Sequence, residues 1–261
     1  MAVSIAVTSG KGGVGKTNTA VNLGISLAKL GKRVVLFDAD LGIANTHILL
    51  GVNPELTVAD FLNGKVSMTE VITPLQHGVR LIAGGSGFIE LLNLDNKARY
   101  KLLTGLSEIE SEIDYLIVDC PAGAADSTLF FANAADIMLV TLVAEPTSFL
   151  DAYALVKAAH VENGITDFSV IVNMAESPKT AEMNFNKFRD IAMRFLDVKL
   201  HYTGTIPQST AIRRSIVQRK PICASHPNSA LAKNYEAIAM KLLKTSPSVH
   251  DSMKYFSETQ K

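Results

Sequence analysis

Apolar residues along the chain fall into two kinds of run that take turns. Short, nearly unbroken stretches of β-branched and aliphatic residues predict strands at Val3–Thr8, Arg33–Asp38, Val79–Ala83, Tyr115–Asp119, Ile137–Leu142, Phe168–Asn173 and Tyr202–Ile206. Unbroken rather than alternating hydrophobicity is expected of parallel strands whose sheet is covered on both faces. Between them the spacing changes to a helical one, over Lys16–Leu30, Asp95–Glu112, Ser148–Asn163, Thr180–Leu196, Thr210–Gln218 and Ser229–Lys244. In the last of these, Leu231, Tyr235, Ile238, Leu242 and Leu243 follow one face of a helix. Strand and helix alternate over almost the whole length. That predicts the α/β class: a single doubly wound domain over 1–244, a mostly parallel twisted sheet flanked by helices. Residues 245–261 read as a tail.

Composition narrows the class of partner. With 48% hydrophobic residues the chain can bury a large core, and 25 basic side chains are balanced by 25 acidic ones. A long-range positive field for nucleic acid is therefore not indicated. Two cysteines, Cys120 and Cys223, stand in separate segments without metal-ligand spacing and read as buried small residues of a reduced protein. MAVSIAVTSG has no basic n-region, and no apolar run reaches the ~18–20 residues that span a bilayer. The expectation is a cytoplasmic protein, with any membrane contact peripheral, at the inner membrane or a cell pole. In the tail, Val249, Met253 and Phe256 form a weak stripe around Lys254, diluted by Asp251 and Glu258. It reads as disordered or packed on the body in preference to a membrane helix.

The candidate chemistry starts where the first strand ends. Gly10-Lys11-Gly12-Gly13-Val14-Gly15-Lys16-Thr17 follows the strand IAVTS and opens a helix, the context a phosphate-binding loop requires. Its glycines let backbone N–H groups turn inward onto phosphates, and the helix N-terminus adds a favourable field. Lys16 is placed to reach the β- and γ-phosphates and the Thr17 hydroxyl to ligate Mg²⁺. Asp119, closing the strand YLIVD, can hold that metal through water. VVLFDAD ends in Asp38 and Asp40, which share one side of an extended chain. Asp38 is the better placed to support the metal, and Asp40, further out, to position the hydrolytic water.

With those residues in place the chain resembles the MinD/ParA family of deviant Walker-A ATPases. KGGVGKT at 11–17, FDADLGIAN at 37–45 and DCPAG at 119–123 match its order and spacing, and the similarity extends through 57–72 and 203–222. The resemblance implies ATP and ADP as ligands, a parallel sheet with one antiparallel strand, and an ATP-dependent homodimer. It also implies that Lys11, at the signature position, crosses to the partner subunit's phosphates, and that Asn173 and Pro207 contact adenine. Within the family, EPTSFLDAYALVK at 145–157 is most similar to the flagellar-number regulators called FlhG or FleN, although Ala144 and Pro121 depart from their pattern. A regulatory or cargo protein of a flagellar or polar machine is then the expected partner.

Two other functions stay open at this level. ParA-type members bind DNA non-specifically through basic residues such as the cluster Arg213, Arg214, Arg219 and Lys220; the balanced net charge speaks against that. A metal-cluster enzyme on the same fold would need paired cysteines, and no CxxC is present.

Overall fold

The apolar runs pair into one sheet. The computed structural model describes residues 2–41, 45–85, 94–245 and 254–256, and among these the sheet has eight strands. They are β1 (Val3–Ser9), β2 (Val34–Asp38), β3 (Thr73–Pro74), β4 (Val79–Ile82), β5 (Tyr115–Ala122), β6 (Ile137–Val143), β7 (Asp167–Ala175) and β8 (Lys199–Pro207). Their order is β3-β4-β2-β5-β1-β6-β7-β8. Every pairing is parallel except β3 with β4, so the antiparallel strand lies at the edge. Pro74 has no N–H to give a further neighbour, which suits an edge and blunts it.

Helices cover both faces: α1 (Lys16–Lys29), α2 (Thr46–Leu50), α3 (Val58–Leu62), α4 (Met68–Val71), α5 (Asn96–Glu108), α6 (Asp126–Asn133), α7 (Pro146–Asn163), α8 (Pro178–Phe195), α9 (Thr210–Val217), α10 (Ile222–Ser225) and α11 (Ala230–Leu242). Successive strand residues feed different cores. Ile5, Val7, Val34 and Leu36 pack with α1, α2, α10 and α11, while Ala6, Val35, Phe37 and Val118 pack with α3 to α8. This division is why the strands read as unbroken apolar runs. It also separates the cysteines: buried Cys120 belongs to one core and buried Cys223 to the other, across the sheet. They cannot share a metal within one chain.

Periodicity missed α2, α3, α4, α6 and α10, none longer than eight residues and so too short to show a stripe. Two are nucleated by capping boxes instead, Thr57 with Asp60 for α3 and Ser67 with Glu70 for α4. The helix expected over Asp95–Glu112 stops at Glu108 and ends in a 3-10 turn, Glu110–Glu112. Three glutamates at its carboxyl end oppose the helix dipole there.

Of the tail, Val249 and Met253 lie outside the described residues. Tyr255 and Phe256 are buried against α6. Tyr255 N donates to the Ala134 carbonyl (3.0 Å), its hydroxyl to the Phe131 carbonyl (3.0 Å), and Lys254 Nζ to the Ala135 carbonyl (2.8 Å). These bonds satisfy carbonyls that the end of α6 leaves without helical partners. Among the described residues no helix is long and apolar enough to cross a membrane.

Candidate nucleotide site

All the predicted site residues gather along the carboxyl ends of the parallel strands, where open α/β sheets place ligands. The loop Gly10–Gly15 leaves β1 and turns into α1. Gly15 has φ 85°, and α1 has no side-chain cap and no acidic residue in its first turn. By contrast, α5, α8, α9 and α11 are each capped by an Asp or Ser side chain. The free N–H groups of α1 therefore form a cradle for an anion. Val14 turns inward and is buried, while Gly12 and Gly13 are exposed.

The loop is braced from two sides. A Cβ at Gly10 would lie 2.1–2.4 Å from the backbone of Asp151 and Ala152, so α7 packs directly on the loop. Gly10→Ala must push the loop off α7, an overpacking that costs about 1–3 kcal/mol. The expected result is a folded protein whose affinity for a fluorescent ATP analogue falls by about tenfold or more; unchanged affinity would show that α7 does not set the loop. On the other side, Asn173 Nδ2 donates to the Val14 carbonyl (2.7 Å).

Beneath the loop lies a buried charge cluster. Register places Asp38 on β2 directly beside Asp119 on β5. Lys16 Nζ donates to Asp119 Oδ1 at 2.7 Å, with both side chains at least 90% buried. Burial pulls the Lys16 ammonium down, but the charge and hydrogen bond of Asp119 outweigh it and the net shift is upward. Asp38 Oδ2 accepts from the N–H groups of Asn45 and Thr46 (3.0 Å each), and Oδ1 from Asp40 N–H (3.2 Å). Burial, then the neighbouring Asp119 charge, pushes the Asp38 carboxyl up to about 7 despite those bonds. Two buried carboxylates facing one ammonium leave the site short of positive charge. A divalent cation beside the half-buried Thr17 hydroxyl fits that deficit and this oxygen-rich donor set.

Lys11 is set apart from this cluster. Its Nζ donates to Glu145 Oε2 (2.6 Å) and Thr147 Oγ1 (3.2 Å), at the exposed start of α7. Asp40 is half-buried past the end of β2 and is followed by buried Leu41, after which Gly42, Ile43 and Ala44 lie outside the described residues. Asn173 and Pro207 meet at a small hollow of about 70 Å³ beside Gly15, with Met174 and Arg213 on its walls. Asn173 uses one N–H on Val14 and one Oδ1 lone pair on Met174 N–H (2.9 Å). One donor and one acceptor remain for a base edge.

Sequence reasoning missed Thr46, Glu145 and Thr147. Thr46 Oγ1 also donates to Asp119 Oδ2 (3.3 Å), so it ties both carboxylates together. A hydroxyl residue opening the apolar run HILL was the available signal for it; Glu145 and Thr147 were visible only as part of the EPTS block.

The ParA family model, described as NUBPL iron-transfer P-loop NTPase, matches residues 1–243. The chain belongs to the MinD/ParA family of P-loop NTPases. Nucleotide hydrolysis is the chemistry of that family. The chain is 41% identical over 238 residues to the antiactivator FleN of Pseudomonas aeruginosa, covering 91% of this chain and 85% of FleN. It is 32% identical to the flagellum site-determining protein YlxH of Helicobacter pylori, covering 90% and 80%. Among solved structures, the cell division ATPase MinD of Pyrococcus furiosus superposes with TM-score 0.74 at 26% identity, covering 94% and 99%. Among the described residues no group of three or more His, Cys, Asp or Glu lies together within this one chain.

Proposed function

We propose that this member of the MinD/ParA family is an ATP-driven dimerisation switch that regulates the number or placement of flagella. The observation that carries it is Lys11, a second loop lysine that does not face its own phosphate cradle and is held at the surface by an exposed partner. FleN and YlxH, by their names an antiactivator and a flagellum site-determining protein, support the flagellar half of the reading.

The chain's own residues divide the work. N–H groups of 10–17 bind the phosphates, and Lys16 leaves Asp119 to meet the outer ones. A bound Mg²⁺, held by Thr17 with Asp38 and Asp119, would supply charge neutralisation on the β- and γ-phosphates. Asp40 orients the attacking water, and Asn173 with Pro207 borders the adenine. Lys11 moves from Glu145 to the facing subunit's phosphates, so hydrolysis waits on pairing. Turnover without a stimulating protein partner is then far below the ~10 s⁻¹ of metabolic enzymes. Such a switch acts in the cytoplasm, with its partner at the inner membrane or a cell pole.

Asp40→Ala tests the switch, because it removes water orientation and leaves the phosphate cradle intact. With Mg-ATP it should elute from size-exclusion chromatography as a dimer and with ADP as a monomer. Monomer in both would refute the switch. DNA partition draws less support: the solved plasmid partition protein of Borrelia burgdorferi is 22% identical and shows the fold alone.

A further inference from the structure

Away from the nucleotide site, a hollow of about 520 Å³ opens between the end of α2, the turn joining β3 to β4, and the segment from α9 into α10. Its size is that of a small-molecule site. Ile25, Leu50, Leu75 and Pro221 make an apolar floor, and Arg219, Lys220 and His77 stand at the mouth. All three mouth residues are exposed. None of their side chains has a hydrogen bond or ion pair with a described residue. In a chain whose 25 basic and 25 acidic groups balance, two permanent positive charges meeting over an apolar floor are an unanswered field.

The backbone fixes where these side chains leave the chain. Among the described residues three non-glycine residues have positive φ: His77 (65°), Arg219 (54°) and Met174 (53°). Met174 lines the hollow beside the nucleotide loop, and the other two line this one. At Arg219 this φ closes α9: Arg219 N–H donates to the Ile216 carbonyl (3.0 Å) and Lys220 N–H to the Ser215 carbonyl (2.9 Å), so the helix end itself sets Arg219 and Lys220 side by side at the mouth, while His77 turns the chain between β3 and β4. Glycine would suit both turns, yet each carries a nitrogen-bearing side chain to the mouth.

We propose that this hollow binds an organic phosphate, its anionic group on Arg219, Lys220 and His77 and its apolar body on the floor. Arginine and lysine are phosphate ligands by geometry and charge. Inorganic phosphate alone leaves the floor uncovered. Duplex DNA brings phosphates but no apolar group able to enter a concave site. The same chemistry comes from a soluble phosphate ester or from the headgroup region of an anionic lipid, and experiment separates them.

The test uses full-length protein saturated with Mg-ADP, so that the phosphate loop is filled and the outcome does not depend on dimerisation. Hexyl phosphate, titrated calorimetrically, should bind about tenfold or more tightly than inorganic phosphate, because its chain reaches the floor. Arg219→Gly with Lys220→Ala should weaken it at least about tenfold. Arg219→Gly alone should keep or raise the melting temperature, since glycine accepts that φ, which separates lost binding from lost folding. Phosphatidylglycerol vesicles form the second arm: binding lost in the double variant assigns the phosphate to lipid, and no vesicle binding assigns it to a soluble ester. Equal affinity for hexyl and inorganic phosphate, no binding of either, or binding indifferent to the double variant overturns the proposal.

Discussion

Lys11→Ala is expected to bind Mg-ATP as a monomer with wild-type affinity and to hydrolyse it roughly a thousandfold more slowly under conditions where the wild type dimerises. The size of the effect is that of a cation delivered in trans to a phosphoryl-transfer site, worth about 10³–10⁵ in rate. The unchanged affinity follows from where the lysine is: bonded to Glu145 and Thr147, while Lys16 and the N–H cradle serve the chain's own phosphates. The bond to Glu145 is short, but the two side chains are 31% and 59% exposed. An ion pair that exposed contributes only about 0–1 kcal/mol, so pairing of subunits overcomes it at little cost. Glu145→Gln in the same phosphate-release assay should therefore change turnover by no more than about fivefold. A Lys11→Ala enzyme as fast as wild type would remove Lys11 from the chemistry and leave the loop an ordinary phosphate pocket.

Much of this site is legible in the sequence, for a physical reason. A phosphate loop is built from backbone N–H groups, and only glycine-rich sequence at one spacing can present them. Gly10 to Thr17 therefore declares itself, as do the carboxylates of apolar strands: Asp38 closes β2, and Asp119, expected to close its strand, lies inside β5, which runs on to Ala122. Strand order was not legible, because β1 and β5 have equally apolar runs and nothing local says that they are neighbours. Nor was the state of the lysines. Both carry the same charge and lie five positions apart, yet Lys16 is buried on Asp119 and Lys11 is exposed on Glu145. That distinction comes from α7 packing on Gly10, a contact between residues some 140 positions apart in the chain. Short helices such as α2 also escaped, and with it Thr46, the residue that joins Asp38 to Asp119.

The buried lysine carries the largest expected effect on stability. In nucleotide-free protein with a chelator present, Lys16→Met should lower the unfolding free energy by about 3 kcal/mol. Removing one partner of a buried ion pair costs about 3–5 kcal/mol, because the charge left behind has neither water nor counterion. Here two carboxylates would be left, side by side in register. The loss falls at the lower end because Asp38, already pushed up to about 7, takes up a proton readily. At about 2–4 °C per kcal/mol for a domain of this size, the melting temperature drops by roughly 6–12 °C. Adding Asp119→Asn should restore most of the loss, since the lysine's absence then strands no charge on β5, and a double-mutant cycle reads the coupling directly. If Lys16→Met melts with the wild type, or the double variant is no better than the single, the ion pair does not hold the cluster together. The expected result bears on function as well as folding. The bond that neutralises Asp119 in the empty site is one that Lys16 must release to reach a phosphate. Stability of the empty chain and readiness to bind therefore draw on the same side chain, and ligand binding must replace the charge that the lysine takes away.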